Sequence, residues 1–115
     1  MKILLAILTI LILNSCDATR KLSESEISIS GTQWLYSDKY WEYTIDFNKD
    51  GTISSTHPND KTPDNDSWTQ SGREIYFQFN DGFSKYNGSW KSKNKIKGKA
   101  SSENDNWNWT LVKIK

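Results

Sequence analysis

From Tyr40 to Phe47 the chain alternates strictly. Trp41, Tyr43, Ile45 and Phe47 fall on one face of an extended segment, and Tyr40, Glu42, Thr44 and Asp46 on the other. Successive side chains of a strand point to opposite sides, so this pattern demands a sheet with one buried face. The alternation returns at Ile75, Phe77 and Phe79, at Tyr86, Gly88 and Trp90, at Ile96, Gly98 and Ala100, and at Trp107, Trp109 and Leu111. Asn48-Lys49-Asp50-Gly51, Ser71-Gly72, Asp81-Gly82 and Lys93-Asn94 stand between these runs and supply the residues of tight hairpins. No window carries a helical period. Ile27 and Ile29 also alternate and are expected to start a strand of their own.

Eight short strands result: Gln33 to Tyr36, Tyr40 to Phe47, Thr52 to Thr56, Ser67 to Gln70, Glu74 to Phe79, Lys85 to Lys91, Lys95 to Ala100 and Trp107 to Ile114. Short links between all of them favour an all-β, antiparallel up-and-down barrel, because closure removes the exposed edges. Parity adds a register. If Gly88 and Gly98 face one interior, the loop between their strands has an odd length, since a one-residue slip inverts the face. A loop centred on Lys93 sets Gly88 opposite Gly98, Trp90 opposite Ile96 and Tyr86 opposite Ala100. Two facing glycines leave a gap for a neighbouring Trp ring. Beyond Leu111 the phase shifts to Val112 and Ile114, which predicts a bulge or a strand buried on both sides.

The interior of this barrel is built from rings. Aromatic residues make up 13% of the chain, with six Trp and five Tyr, while Leu and Val are scarce after the first fifteen residues.

Those first residues have a different character. Lys2, an apolar run from Ile3 to Leu13 and the small residue Ser15 before Cys16 form the three parts of a secretory signal peptide. The run is too short to span a bilayer, which takes roughly 20 apolar residues. Leu13-Asn14-Ser15-Cys16 resembles the lipobox of bacterial lipoproteins. The resemblance implies cleavage before Cys16, acylation of its sulfur, and an anchor in the cell envelope through more than one acyl chain. An ordinary signal peptide with a coincidental cysteine is the alternative, but Cys16 is the only cysteine of the chain. Asp17 resembles an inner-membrane retention signal of enteric bacteria, a rule that does not hold across phyla, and the outer membrane is the favoured location. The expected organisation is a signal peptide at 1–15, the lipidated Cys16 with a flexible, Ser-rich tether at 16–30, and a barrel domain at 31–115. Losing Lys2 would balance the remaining cationic side chains against the fourteen acidic ones, leaving no whole-molecule field to attract nucleic acid.

Gly31-Thr32-Gln33-Trp34 at the first strand, Phe47 followed by Asp50-Gly51-Thr52, and a Trp-rich last strand resemble the small bacterial lipocalin-like lipoproteins. The likeness covers most of 31–115. Lipocalins proper carry Gly-x-Trp, and the extra residue departs from that pattern. The domain is also shorter than a typical lipocalin, which argues against a roomy cavity.

Several residue groups invite a chemical role. His57 is the only histidine, in Ser54-Ser55-Thr56-His57-Pro58, and no nucleophile elbow accompanies it. Glu42 and Glu74 fall on outward faces. No catalytic residue and no cofactor is therefore assigned. Asp46, Asn48, Asp50 and Gly51 match half of a calcium loop, but its twelfth position would be His57 instead of a bidentate Glu, and a turn with Gly51 in the left-handed region is favoured. Lys91, Lys93, Lys95, Lys97 and Lys99 alternate along one hairpin, opposed by Asp60, Asp64 and Asp66. They form either a solvated outer face or a surface for polyanions. The tryptophans either fill the barrel or line a pocket, and Trp68 is expected to be the most exposed. The resulting expectation is a monomeric, lipid-anchored binding module that takes a small apolar ligand at the barrel mouth through Tyr36, Trp41, Tyr43 and Trp109. The alternative is an envelope protein-interaction module, an inhibitor or assembly factor, with a filled barrel.

Overall fold

A computed structural model describes residues 27–58 and 65–115. The signal segment, Cys16, Asp17, Asp60 and Asp64 lie outside the described residues. Eight strands run in chain order: β1 (Thr32–Ser37), β2 (Glu42–Phe47), β3 (Ile53–Ser55), β4 (Ser67–Ser71), β5 (Glu74–Phe79), β6 (Ser84–Ser92), β7 (Lys95–Ser102) and β8 (Asp105–Lys113). They form one antiparallel sheet in the order β3-β2-β1-β8-β7-β6-β5-β4. A bridge between Thr52 and Ser67 joins the two ends of that order, where Trp68 N donates to Gly51 O at 3.0 Å and Ile53 N to Asp66 O at 3.3 Å. The up-and-down barrel is thus nearly closed, and few backbone groups are left on an open edge.

The glycine register is the one parity requires. Gly88 pairs with Gly98, Trp90 with Ile96 and Tyr86 with Ala100. Parity is kept by a different device from an odd loop: Ser92 pairs with Lys95 across the two-residue turn Lys93-Asn94, and Lys91 is the extra residue of a bulge. Trp109 pairs with Gly98 on the other side, and its ring covers both glycines. A methyl added to Gly88 would lie 2.5 Å from Trp109 Cη2, and one added to Gly98 would overlap Asn87 O and the same ring.

Three expectations are corrected. The last strand has no bulge, since β8 pairs continuously with β7 and β1. Val112 simply points outward, 45% exposed, beside its outward partner Leu35. Ile27 and Ile29 form no strand, yet they are buried at 2% and 0% exposure. Gln70 holds them: Ile29 N donates to Gln70 Oε1 at 2.9 Å, and Gln70 Nε2 donates to Ile27 O and to Gly72 O. The packed body therefore includes Ile27 and Ile29. Lastly, the paired segments of β6, β7 and β8 extend past the apolar residues, so β7 and β8 meet at the two-residue turn Glu103-Asn104. Ladder hydrogen bonds continue through Ser101, Ser102, Asp105 and Asn106, whose polar side chains give no hydrophobic signal.

The core consists of rings and isoleucines. Trp34, Trp90 and Trp109 are among its largest fully buried side chains, with Tyr36, Phe47 and Phe77. Trp34 meets Trp90 edge to face at 5.2 Å, Phe47 meets Phe77 at 5.5 Å, and Phe77 stacks on Tyr86 at 4.6 Å. Such pairs contribute about 1 kcal/mol beyond simple burial. Trp34 Nε1 donates to Thr32 Oγ1 at 2.7 Å. Trp90 and Trp109 have buried indole N–H groups with no hydrogen-bond partner among the described residues, at a cost of about 1 to 3 kcal/mol each. Their size is what the barrel uses, and it outweighs the polar atom that comes with it.

Candidate functional site

The barrel has two unlike ends. At the closed end, Ile27 and Ile29 pack beneath the β4–β5 turn and Gly31 N donates to Phe47 O at 2.7 Å. At the other end, the β1–β2 and β5–β6 connections, His57 beyond β3 and the adjoining ends of β7 and β8 surround a cavity of about 280 Å³. Trp41, Tyr43, His57, Phe79, Phe83, Tyr86 and Trp107 line it, with Asp38, Tyr40, Ser84 and Asp105 among their neighbours at the rim and floor.

Asp38 organises one wall. Its Oδ1 accepts the backbone N–H groups of Tyr40 at 2.7 Å and Trp41 at 2.8 Å, the side-chain-to-backbone turn that a short acidic residue forms. This draws Tyr40 and Trp41 out of the ladder, so β2 starts at Glu42. Asp38 Oδ2 accepts from Tyr36 Oη at 2.5 Å, and Trp107 Nε1 donates to Tyr36 Oη at 2.9 Å. Tyr36 stacks on Tyr43 with ring centroids 4.5 Å apart.

The floor is buried. Burial, before any other cause, pushes the Tyr36 and Tyr43 hydroxyls well above the ordinary phenol value and raises that of Tyr86. Tyr36 Oη is held between Asp38 and Trp107, and the rings of Tyr36, Tyr43 and Tyr86 pack on one another beside it.

The second wall is a cluster of tilted rings. His57 lies 4.5 Å from Trp41 and 4.8 Å from Tyr43 between ring centroids. Trp41 itself is 42% exposed, and with Tyr40 and Phe83 it forms an open, apolar lip.

Of the four residues assigned to ligand from sequence, Trp41 and Tyr43 line the cavity. Tyr36 lies below them as part of the hydroxyl network. Trp109 lies deeper, against Gly88 and Gly98, and lines no part of the cavity. Sequence reasoning left out Asp38, His57, Phe79, Phe83, Tyr86, Asp105 and Trp107 as members of one site. The one local signal was Ser37-Asp38-Lys39, where an Asp before aromatic residues marks an Asx-turn.

Other candidates have structural roles. Asp50 Oδ1 accepts from Thr52 N at 3.0 Å and Thr52 Oγ1 at 2.6 Å, and Gly51 takes φ +90°. The half calcium motif is a hairpin turn, and no metal-binding cluster occurs among the described residues. Trp68 is half-buried against the core and donates to Asn48 O at 2.9 Å, so it is not the most exposed tryptophan. Asp66 is buried at 1% and caps Asn80 N at 2.9 Å, so it does not belong to a solvent-facing acidic loop. The five hairpin lysines are all exposed.

Among the described residues, no helix is long and apolar enough to cross a membrane, which says nothing of strands. Compared with protein-family models, with curated proteins and with solved structures, the chain gave no match.

Proposed function

We propose that this chain is a lipid-anchored, lipocalin-like binding module of the cell envelope, most consistent with the outer membrane, which takes a small, largely apolar ligand at the barrel mouth without catalysing a reaction. The observation that carries the reading is the contrast within the barrel. Its lower part is filled by Trp34, Trp90 and Trp109, while a cleft of about 280 Å³ remains at the mouth. A concave site with ring walls and a few placed polar groups is where a small molecule gains the most from burial.

Titration of tryptophan fluorescence with 1-aminoanthracene tests it. Saturable one-to-one quenching is expected, and Trp41→Ala should weaken it at least about tenfold by removing one wall. The anchor is tested separately. Cys16→Ser should move the protein from the membrane fraction to the soluble one, since anchoring takes the acyl chains; continued membrane association would sink that part.

A second reading rests on the lip. Tyr40 and Phe83 are 63% and 56% exposed beside Trp41, and exposed rings clustered at one place are anchors for protein partners. Absence of saturable binding by a folded barrel would favour this interaction module.

A further inference from the structure

The charged groups around the mouth carry the reading of the cleft one step further. Asp38 and Asp105 line it, and among the described residues no lysine or arginine does; Lys39 stands at the lip, within electrostatic reach of Asp105. The three groups that donate to Asp38 are a phenol and two backbone amides. All are neutral, so they fix the carboxylate in place without cancelling its charge. Asp105 stands at the first position of β8 and is exposed, with Asn106 N donating to its Oδ1 at 2.9 Å.

Between the two carboxylates the walls are aromatic. A ring face carries the negative part of its quadrupole, so a cation placed over it is attracted, most strongly over Trp and where water is excluded. The lip already shows the interaction, for Lys39 Nζ lies 4.9 Å from the centre of the Tyr40 ring. Tyr36 Oη donates to Asp38 Oδ2 and the indole N–H of Trp107 donates to Tyr36 Oη. Neither of these two donors is turned to a ligand.

Resting on the reading of the mouth as a ligand site, we propose that its ligand is an organic cation: an ammonium or quaternary ammonium head held among Trp41, Tyr43 and Trp107 near Asp38 and Asp105, on an apolar or aromatic body. Both features act in the same direction. Rings attract the charge at short range, and the carboxylates lower the potential of the whole opening. A carboxylate or phosphate ligand meets two negative charges, and among the described lining residues no lysine or arginine compensates them.

The test uses the full chain in dodecyl maltoside at pH about 8, where an ordinary imidazole is neutral, with calorimetric titration of three water-soluble probes. Benzyltrimethylammonium is expected to bind about tenfold more tightly than benzyl alcohol, and phenylacetate more weakly than either. Asp105→Asn, which keeps the acceptor for Asn106 N, should cut the preference for the cation over the alcohol about fivefold. Benzyl alcohol or phenylacetate binding as tightly as the cation overturns the proposal and leaves the mouth a ligand site of another preference. An unchanged preference in Asp105→Asn also overturns it. Binding by none of the three probes removes both this proposal and the ligand reading beneath it.

Discussion

In urea, Gly98→Ala is expected to lose at least about 3 kcal/mol of stability, the upper range for forcing atoms into a packed interior. The added methyl has no route of escape. It meets the backbone oxygen of Asn87, the Cα of Gly88 and the Trp109 ring together, and two of these are backbone atoms of the paired strand β6. The ordinary gain from replacing Gly within a strand, roughly 0.5 to 1 kcal/mol, is too small to offset this. Gly88→Ala is the instructive companion. Its nearest obstacle is the far edge of the Trp109 ring, so the cost should be about 2 kcal/mol and should shrink when Trp109→Phe is made alongside. Denaturation midpoints of the four variants in that cycle measure the coupling. If Gly88→Ala costs the same with Phe at 109 as with Trp, the ring is not what fills the gap between the glycines.

The second large effect is alkaline unfolding. Tyr36 and Tyr43 hold their protons far more tightly in the barrel than free phenols do, and Tyr86 holds its proton more tightly, because burial disfavours the phenolate. The sign follows from proton counts. Above about pH 10 the unfolded chain releases protons that the folded state keeps, so stability falls as pH rises. Their contribution is whole below that value and is lost progressively as pH climbs from it towards the folded values. Two groups so strongly shifted give a slope of about 3 kcal/mol per pH unit, enough to exhaust an ordinary domain's stability within two to four units. Absorbance at the phenolate band should therefore show the Tyr36 and Tyr43 hydroxyls ionising together with loss of near-ultraviolet dichroism. Tyr43→Phe should reduce the slope by about half. Gradual ionisation of all tyrosines in a barrel that keeps its dichroism would contradict the burial of these hydroxyls.

The strands and the glycine register were legible because both depend on period two, which each residue reports for itself. Tyr86, Gly88 and Trp90 announce a face, and a facing pair of glycines announces a register. Depth along the barrel axis is not reported in this way. Trp107 and Trp109 share a face of β8, yet one lines the cleft and the other wedges against glycines. Trp41 and Phe47 share a parity, but the first is at the lip and the second is wholly buried. Which of two equivalent rings is the upper one depends on strand tilt and stagger, a property of the closed barrel as a whole. Asp38 and His57 were hidden for a related reason. They sit in connections whose path is set by the ends they join, so their assembly with Trp107, half the chain away, leaves no local pattern.

The seating of Ile27 and Ile29 has a mechanical consequence. Both lie beside the β4–β5 turn, where Gln70 grips the chain. The cleft lies at the opposite pole, the length of β5 away, on the order of 20 Å. A pull applied to the chain ahead of Ile27 would therefore be borne by the Gln70 clasp at the base and would leave the rings around the opening unstrained.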